Sequence, residues 1–246
     1  MLLRKWEDLP PDMQCEEVRY YYDILSLHKT RLVLKRIFDV VMSLLFIVLL
    51  SPLFLAIALV IAADSPGGVF FRQIRVTSYG KRFVMFKFRT MVVGADKAEA
   101  AITVDNDARI TRAGRFIRRF RLDEIPQLFN VLSGDMTFVG TRPEVEKYVE
   151  QYTAPMKATL LLPAGVTSIA SIYYKNEGAL LSAAKDIDRV YVEKVLPGKM
   201  YYNLKAIEEF GFFKDIGIMV KTVLAVLGAS YSDEKPNTPK ADKKAG

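Results

Sequence analysis

The sequence is poor in the residues that carry soft-metal and redox chemistry. It holds one cysteine, Cys15, and one histidine, His28. A lone cysteine excludes an internal disulfide framework, and together the two cannot assemble a zinc cluster. Any catalysis therefore falls to carboxylates, lysine, arginine, serine or tyrosine. Negative charge is also short: 28 acidic side chains face 35 basic ones, a formal charge of +7 with pI near 9.3. That balance suits an anionic partner, whether phosphate, nucleic acid or lipid headgroup, without choosing among them. There is no internal repeat. What is present is apolar mass: 246 residues, 51% hydrophobic, far from a disordered composition and able to bury a core without staples.

Much of that mass lies between Asp39 and Asp64, where Val40 through Ala63 carries no charged side chain. A polar, folded-looking stretch containing Arg4, Lys5, Glu7 and Asp8 precedes it, which argues against a cleaved signal peptide. As one straight helix the run would reach roughly 36 Å at about 1.5 Å per residue, enough for a hydrocarbon core of about 30 Å. Ser51-Pro52 sits at its midpoint, and proline there removes a backbone donor and clashes with the preceding turn. Each half is then roughly 18 Å long, the depth of one leaflet. Lys29, Arg31, Lys35 and Arg36 precede the run and Arg72, Arg75, Lys81 and Arg82 follow it, whereas a spanning helix concentrates basic residues on one side. The pattern favours a re-entrant helix over residues 36–64, broken at Ser51 and Pro52; a kinked spanning helix is the alternative.

Downstream, residues 69–76 and 82–89 read as two strands of a β-hairpin around Ser78-Tyr79-Gly80. Helical patterns are expected over 108–121, 127–132, 144–162, 186–196 and 199–228, the last broken near Gly211. Its final part is amphipathic, with Ile216, Met219, Val220, Val223, Leu224 and Leu227 on one side. The fold class is α+β: a mostly helical monotopic membrane protein with a re-entrant helix hairpin, a small β-hairpin and amphipathic interfacial helices. Its expected parts are an amphipathic helical segment (1–35), the membrane segment (36–64), a folded domain (65–229), which the family resemblance described below makes the cytoplasmic catalytic domain, and a disordered tail (230–246).

The densest chemical signal runs from residue 108 to 144. Arg109, Arg112, Arg115 and Arg118 recur every third residue, a helical stripe to which Arg119 and Arg121 add. Planar, permanently charged guanidinium forks suit phosphate; a solvated or lipid-facing basic surface is the plain alternative. Asp123-Glu124 follows at once, with Pro126 placed for the first turn of a new helix. Such a pair is usually a helix cap. Adjacent acids on a helix diverge by about 100°, so they do not form a matched acid and base; one can attack while the other holds a metal.

The order of these segments resembles the bacterial sugar transferases, the monotopic phosphoglycosyl transferases. The resemblance rests on Lys35-Arg36-Ile37-Phe38-Asp39 entering the apolar run, Ser51-Pro52 within it, Phe70-Phe71-Arg72-Gln73 and Lys87-Phe88-Arg89-Thr90-Met91 on the strands, then Asp107 to Arg115, Leu122 to Leu132, Gly134 to Gly140 and Arg142-Pro143-Glu144. It is to the short form, without an extra multispanning N-terminal domain. It implies a re-entrant membrane helix in the bacterial inner membrane, with the catalytic domain on the cytoplasmic face. The implied activity is Mg²⁺-dependent transfer of a sugar 1-phosphate from a nucleotide sugar, usually UDP-linked, to polyprenol phosphate, initiating glycan assembly. By the same resemblance Asp123 is the nucleophile of a covalent phosphosugar intermediate, Glu124 a metal-holding or positioning partner, and Asp123 with Glu124 the Mg²⁺ site. Arg118 and Arg142 hold phosphate, Lys87 and Arg89 share that task, and the loop containing Pro143 meets the nucleotide. Inner-membrane lipids are expected partners and nucleic acid is not; self-association into a homo-oligomer is left open.

Two stretches depart from the family pattern. Thr141 stands where proline usually precedes the arginine, and residues 163–171 replace a run ending in Gln, Val, Gly and Arg. Both put donor identity in doubt rather than reaction type. The rival readings are a membrane-anchored basic binding protein, with Tyr173, Tyr174, Tyr201 and Tyr202 stacking on bases, or a scaffold without turnover.

Overall fold

A computed structural model of the protein describes residues 3–95, 107–175, 177–182, 186–229 and 231. Two 3₁₀ turns (Trp6–Asp8 and Pro11–Met13) lead into helix α1 (Glu16–Ser26), whose first-turn acids suit the helix dipole. Val18, Tyr22 and Leu25 lie on one face at helical spacing and pack with Leu9, Met13, Leu32, Leu161 and Ile207. The N-terminal segment is thereby fastened to elements far along the chain, at residues 158–161 and 207–210.

Helices α2 (Lys29–Leu49) and α3 (Ser51–Asp64) meet at a 60° bend, at the expected break. Ser51 Oγ donates to the Val48 carbonyl at 2.8 Å, and Pro52 sits in the first turn of α3, where a missing N–H has no partner to lose. Neither helix alone is long and apolar enough to cross a membrane; only the bent pair is, by length and composition. On α2 the usual pattern is inverted. Lys35, Asp39 and Ser43 are buried, while Val41, Leu45, Val48 and Leu49 are each more than half exposed. Asp39 accepts hydrogen bonds from the Thr137 hydroxyl (2.7 Å) and the Phe138 N–H (3.2 Å), and Lys35 donates to the Val139 carbonyl (2.8 Å) and to Asp215 (2.5 Å).

Strands β1 (Phe70–Val76) and β2 (Arg82–Phe88) form the expected antiparallel hairpin, pairing Phe71 with Lys87 and Arg75 with Phe83. Helix α4 (Arg112–Arg119) is shorter than expected because Thr111 caps it, accepting from the Gly114 N–H at 3.0 Å. Arg109 therefore precedes the helix and leaves the arginine stripe; it pairs with Asp107 at 2.6 Å. Helix α5 (Gln127–Ser133) ends at Gly134, whose φ of 93° supplies the left-handed cap.

A second sheet was not anticipated: β3 (Met136–Val139) and β4 (Ala164–Thr167) pair in parallel. Each is too short for its periodicity to be read. Where they converge, a Cβ on Gly165 would come within 2.2 Å of the Gly140 backbone, so only glycine allows the approach. The helix expected over 144–162 is instead α6 (Glu146–Val149) and a 3₁₀ stretch Pro155–Leu161, with Pro155 in the first turn of the latter, where its missing N–H is tolerated. After α7 (Ile169–Tyr173) and α8 (Glu177–Ser182), α9 (Ile187–Val190) runs through a π-helical turn, Tyr191–Val195, into α10 (Leu196–Glu208). Gly211 then breaks the chain before α11 (Phe212–Val226). Ile218 and Met219 of α11 pack on the core beside β3, while Val220, Val223 and Leu224 are exposed. The tail expected from residue 230 lies, but for Tyr231, outside the described residues.

Candidate active site

Asp123 and Glu124 sit on a 3₁₀ turn, Leu122–Glu124, between α4 and α5. Arg121, just before it, has a left-handed φ of 56°, which costs a non-glycine residue roughly 1–3 kcal/mol and reverses the chain so that both acids point inward. The platform beneath is rigid. Asn130 of α5 accepts from the Phe86 N–H (3.0 Å) and donates to the Val84 carbonyl (2.7 Å), tying α5 to β2. Arg36 donates to the Val131 and Leu132 carbonyls at 2.6 and 2.9 Å, tying the end of α5 to α2.

The two acids have different surroundings. Asp123 is 7% exposed, and its buried Oδ1 has no hydrogen-bond partner among the described residues. Burial, and then the charge of Glu124, push its pKa above the ordinary value against the pull of Lys87, Arg118 and Arg121. Glu124 is held by cations: Arg142 at 2.5 Å, Arg121 at 3.3 Å and Lys87 at 3.9 Å. Burial alone would raise its carboxyl, but Arg142, Lys87 and Arg121 together hold it well below the usual carboxylate range. Lys87 is itself mostly buried, and desolvation brings its pKa down to about 8 despite Glu124.

Three cavities meet at this turn. A polar one of about 340 Å³ has Asp123, Lys87, Arg118, Arg142 and Pro143 on its walls. A mainly apolar groove of about 680 Å³ runs from Phe46, Leu49 and Leu50 at the helix break to Glu124 and Arg142. A third, about 1010 Å³, lies between the hairpin and residues 90–95 and also reaches Arg118 and Asp123. Thus Asp123, Glu124, Lys87, Arg118, Arg142 and Pro143 are brought together as expected.

Arg89 holds a backbone segment. Its terminal nitrogens donate to the Ser65 and Pro66 carbonyls, both at 2.7 Å, and clamp the chain where it leaves α3. Those two nitrogens are engaged, while the buried Nε of Arg89 has no hydrogen-bond partner among the described residues. Asp123 and Glu124 are the residues expected to hold Mg²⁺. Among the described residues no group of three or more His, Cys, Asp or Glu side chains could hold an ion. Arg142 takes both carboxylate oxygens of Glu124, at 2.5 and 3.4 Å. Mg²⁺ is commonly held by one or two carboxylates together with substrate phosphates and water, and the unpartnered oxygen of Asp123 fits that donor set.

The tyrosines of the nucleic-acid reading engage one another. Tyr202 is buried, with ring centroids 4.9 Å from Tyr173 and 5.3 Å from Tyr201, so they form no open stacking platform. Arg75, which donates to the Pro143 carbonyl at 3.2 Å, was not singled out from sequence; its alternation with Gln73 along β1 was the available signal. Tyr191, Lys199 and Glu177, also on the walls of the polar cavity, gave no local signal. Of the two departures from the family pattern, Val166, Thr167 and Ser171 line the apolar groove, whereas Thr141 lies behind it.

Residues 30–229 match the family described as bacterial sugar transferase. The chain is 34% identical to the UDP-N-acetylgalactosamine-undecaprenyl-phosphate N-acetylgalactosaminephosphotransferase of Aeromonas hydrophila, over 79% of this chain and 44% of that protein. It is 38% identical to a UDP-glucose:undecaprenyl-phosphate glucose-1-phosphate transferase of Klebsiella pneumoniae, over 59% of this chain and 32% of that one. A transferase of the same description from Xanthomonas campestris pv. campestris is 37% identical over 80% of this chain and 39% of its own length. The chain thus spans less than half the length of these relatives. With the match running from the start of α2 to the end of α11, this protein belongs to the bacterial sugar transferase family.

Proposed function

We propose that this chain transfers a sugar 1-phosphate from a UDP-sugar to a polyprenol phosphate at the cytoplasmic face of the bacterial inner membrane, through a covalent intermediate on Asp123. The observation that carries the reading is a buried carboxylate with an unpartnered oxygen, facing a cavity walled by Lys87, Arg118 and Arg142. The names of the relatives, with UDP-sugar donors and undecaprenyl phosphate acceptors, support the substrate classes.

In the first step an oxygen of Asp123 attacks the phosphorus bonded to the sugar. The bond from that phosphorus to the bridging oxygen breaks, and UMP leaves with the electron pair. An ionised carboxylate needs no proton removed, and Lys87, Arg118 and Arg142 offset the phosphate charge. Glu124 fixes the Arg142 fork by their two hydrogen bonds. In the second step a phosphate oxygen of the lipid attacks the same phosphorus. The bond to Asp123 breaks, and the free carboxylate is restored. Mg²⁺, held through Asp123 and the donor phosphates, would supply further charge neutralisation.

The apolar groove suits the acceptor, since it leads from the helix break to Glu124 and Arg142. The outward apolar faces of α2, α3 and α11 suit insertion into one leaflet, with Phe116 and Phe120 of the α4 region beside Arg112, Arg115 and Arg119 at headgroup level. The test is a donor labelled in its β-phosphate, without lipid acceptor. Label should attach to the peptide containing Asp123, and Asp123→Asn should abolish it. With both substrates, initial rates should give parallel double-reciprocal lines. Intersecting lines together with an active Asp123→Asn enzyme would mean that the lipid attacks the donor directly.

A further inference from the structure

The polar cavity is walled by two chemically different groups. One is the cations around Asp123; the other is Glu144, Tyr191, Lys199 and Glu177, which the transfer step does not use. The Lys199 ammonium is buried and donates to Tyr191 Oη (3.0 Å), Glu177 (3.1 Å) and Glu144 (3.4 Å). The Tyr191 hydroxyl in turn donates to Glu144. Tyr191 opens the π-helical turn between α9 and α10, a distortion that recurs at functional sites because the extra residue re-aims a side chain. Glu144 follows Arg142 and Pro143 directly, so one short segment serves both groups.

Lys199 and Arg75, the latter 3.9 Å from Glu144, balance the two carboxylates, so this group lacks the cation excess that favours a phosphate beside Asp123. Carboxylates only accept hydrogen bonds and an ammonium only donates them, whereas a hydroxyl does both. The array therefore matches a group rich in hydroxyls. A buried ionic network is weak evidence for stability alone, since apolar residues of similar volume would join α10 to residue 144 as well. Glu177, about a third exposed, stands at the margin of the network. Val69, Phe70, Met91 and Val92 on the wall of the third cavity offer apolar surface against which a nucleobase can stack.

We propose that Glu144, Tyr191, Lys199 and Glu177 form the sugar subsite and set donor preference by hydrogen bonding to the sugar hydroxyls. This rests on the sugar-phosphate transfer reading above. The test uses the full chain in detergent with polyprenol phosphate, following UMP release from UDP-glucose, UDP-galactose, UDP-N-acetylglucosamine and UDP-N-acetylgalactosamine. Glu177→Gln and Tyr191→Phe keep side-chain shape, and a thermal unfolding midpoint within error of the parent shows that the fold is intact. In both variants KM for the preferred donor should rise about tenfold and its advantage over the C4 epimer should narrow, since a site built around a substrate hydroxyl discriminates strongly at that position. Inhibition by UMP, which lacks the sugar, should stay within about twofold of the parent, as the phosphate contacts are untouched. Unchanged donor ratios in folded variants, or an equal loss for all four donors, would overturn the proposal. A matching loss of UMP inhibition would also overturn it, by giving this group to the nucleoside. Absence of UMP release from every donor by the parent protein would instead sink the transferase reading, and the sugar subsite with it.

Discussion

Replacing Arg142 by methionine removes the two guanidinium contacts that hold Glu124 and should expose how strongly the acid depends on them. Both side chains are mostly buried, 25% and 11% exposed, so solvent screens the pair little. Breaking a buried pair by removing one partner costs about 3–5 kcal/mol when the survivor is stranded. Here Arg121 at 3.3 Å and Lys87 at 3.9 Å remain beside Glu124, which lowers the expected loss to roughly 2 kcal/mol. For a chain of this size that is a fall of roughly 4–8 °C in the unfolding midpoint, measurable in detergent. The double variant Arg142→Met/Glu124→Gln should recover part of the loss, because no stranded carboxylate remains. The pH dependence has a definite sign. Glu124 is held below its ordinary 4.5, so its contribution is complete above that value and is lost as pH falls through the lowered pKa. The gap between parent and Arg142→Met should therefore shrink on acidification. Single-variant losses that simply add in the double variant, with a gap independent of pH, would refute the coupling.

Cysteines introduced at Thr30 and Pro66, with Cys15 replaced by serine, should label from the same side of the membrane; opposite accessibility would show a spanning helix. Pro52→Ala removes the ring that obstructs a continuous helix through the bend and should shift the balance toward spanning. Lys87 is charged below its depressed pKa of about 8 and neutral above it, so KM for the donor should rise as pH passes that value. Lys87→Arg should flatten that rise because a guanidinium keeps its charge, and an unchanged profile would remove Lys87 from the phosphate contacts. Gly165→Ala places a methyl within 2.2 Å of the Gly140 backbone and should destabilise the β3–β4 pair and misplace Arg142, lowering both midpoint and activity by comparison with Gly217→Ala, which meets nothing within 4 Å.

The features legible in the sequence are those set by neighbours along the chain. The charge-free run with Ser51-Pro52 at its centre sufficed for the bend between α2 and α3. The alternation around Ser78-Tyr79-Gly80 sufficed for the hairpin, and six arginines followed by Asp123-Glu124 marked the site. Proline chemistry, strand alternation and clustered charge act within a few residues, so no fold is needed to read them. Tertiary structure decided the partners. It joined β3 to β4, took Arg109 out of the stripe, and turned Arg89 toward the Ser65 and Pro66 carbonyls. It also separated the two adjacent acids in role, leaving Asp123 with an unpartnered oxygen while giving Glu124 to Arg142, eighteen residues away. Lys35 is the extreme case, since it meets Asp215 across 180 positions of chain. Such contacts depend on which elements pack together and how deeply they bury a charge, and that burial is a property of the assembled fold rather than of any local stretch of sequence.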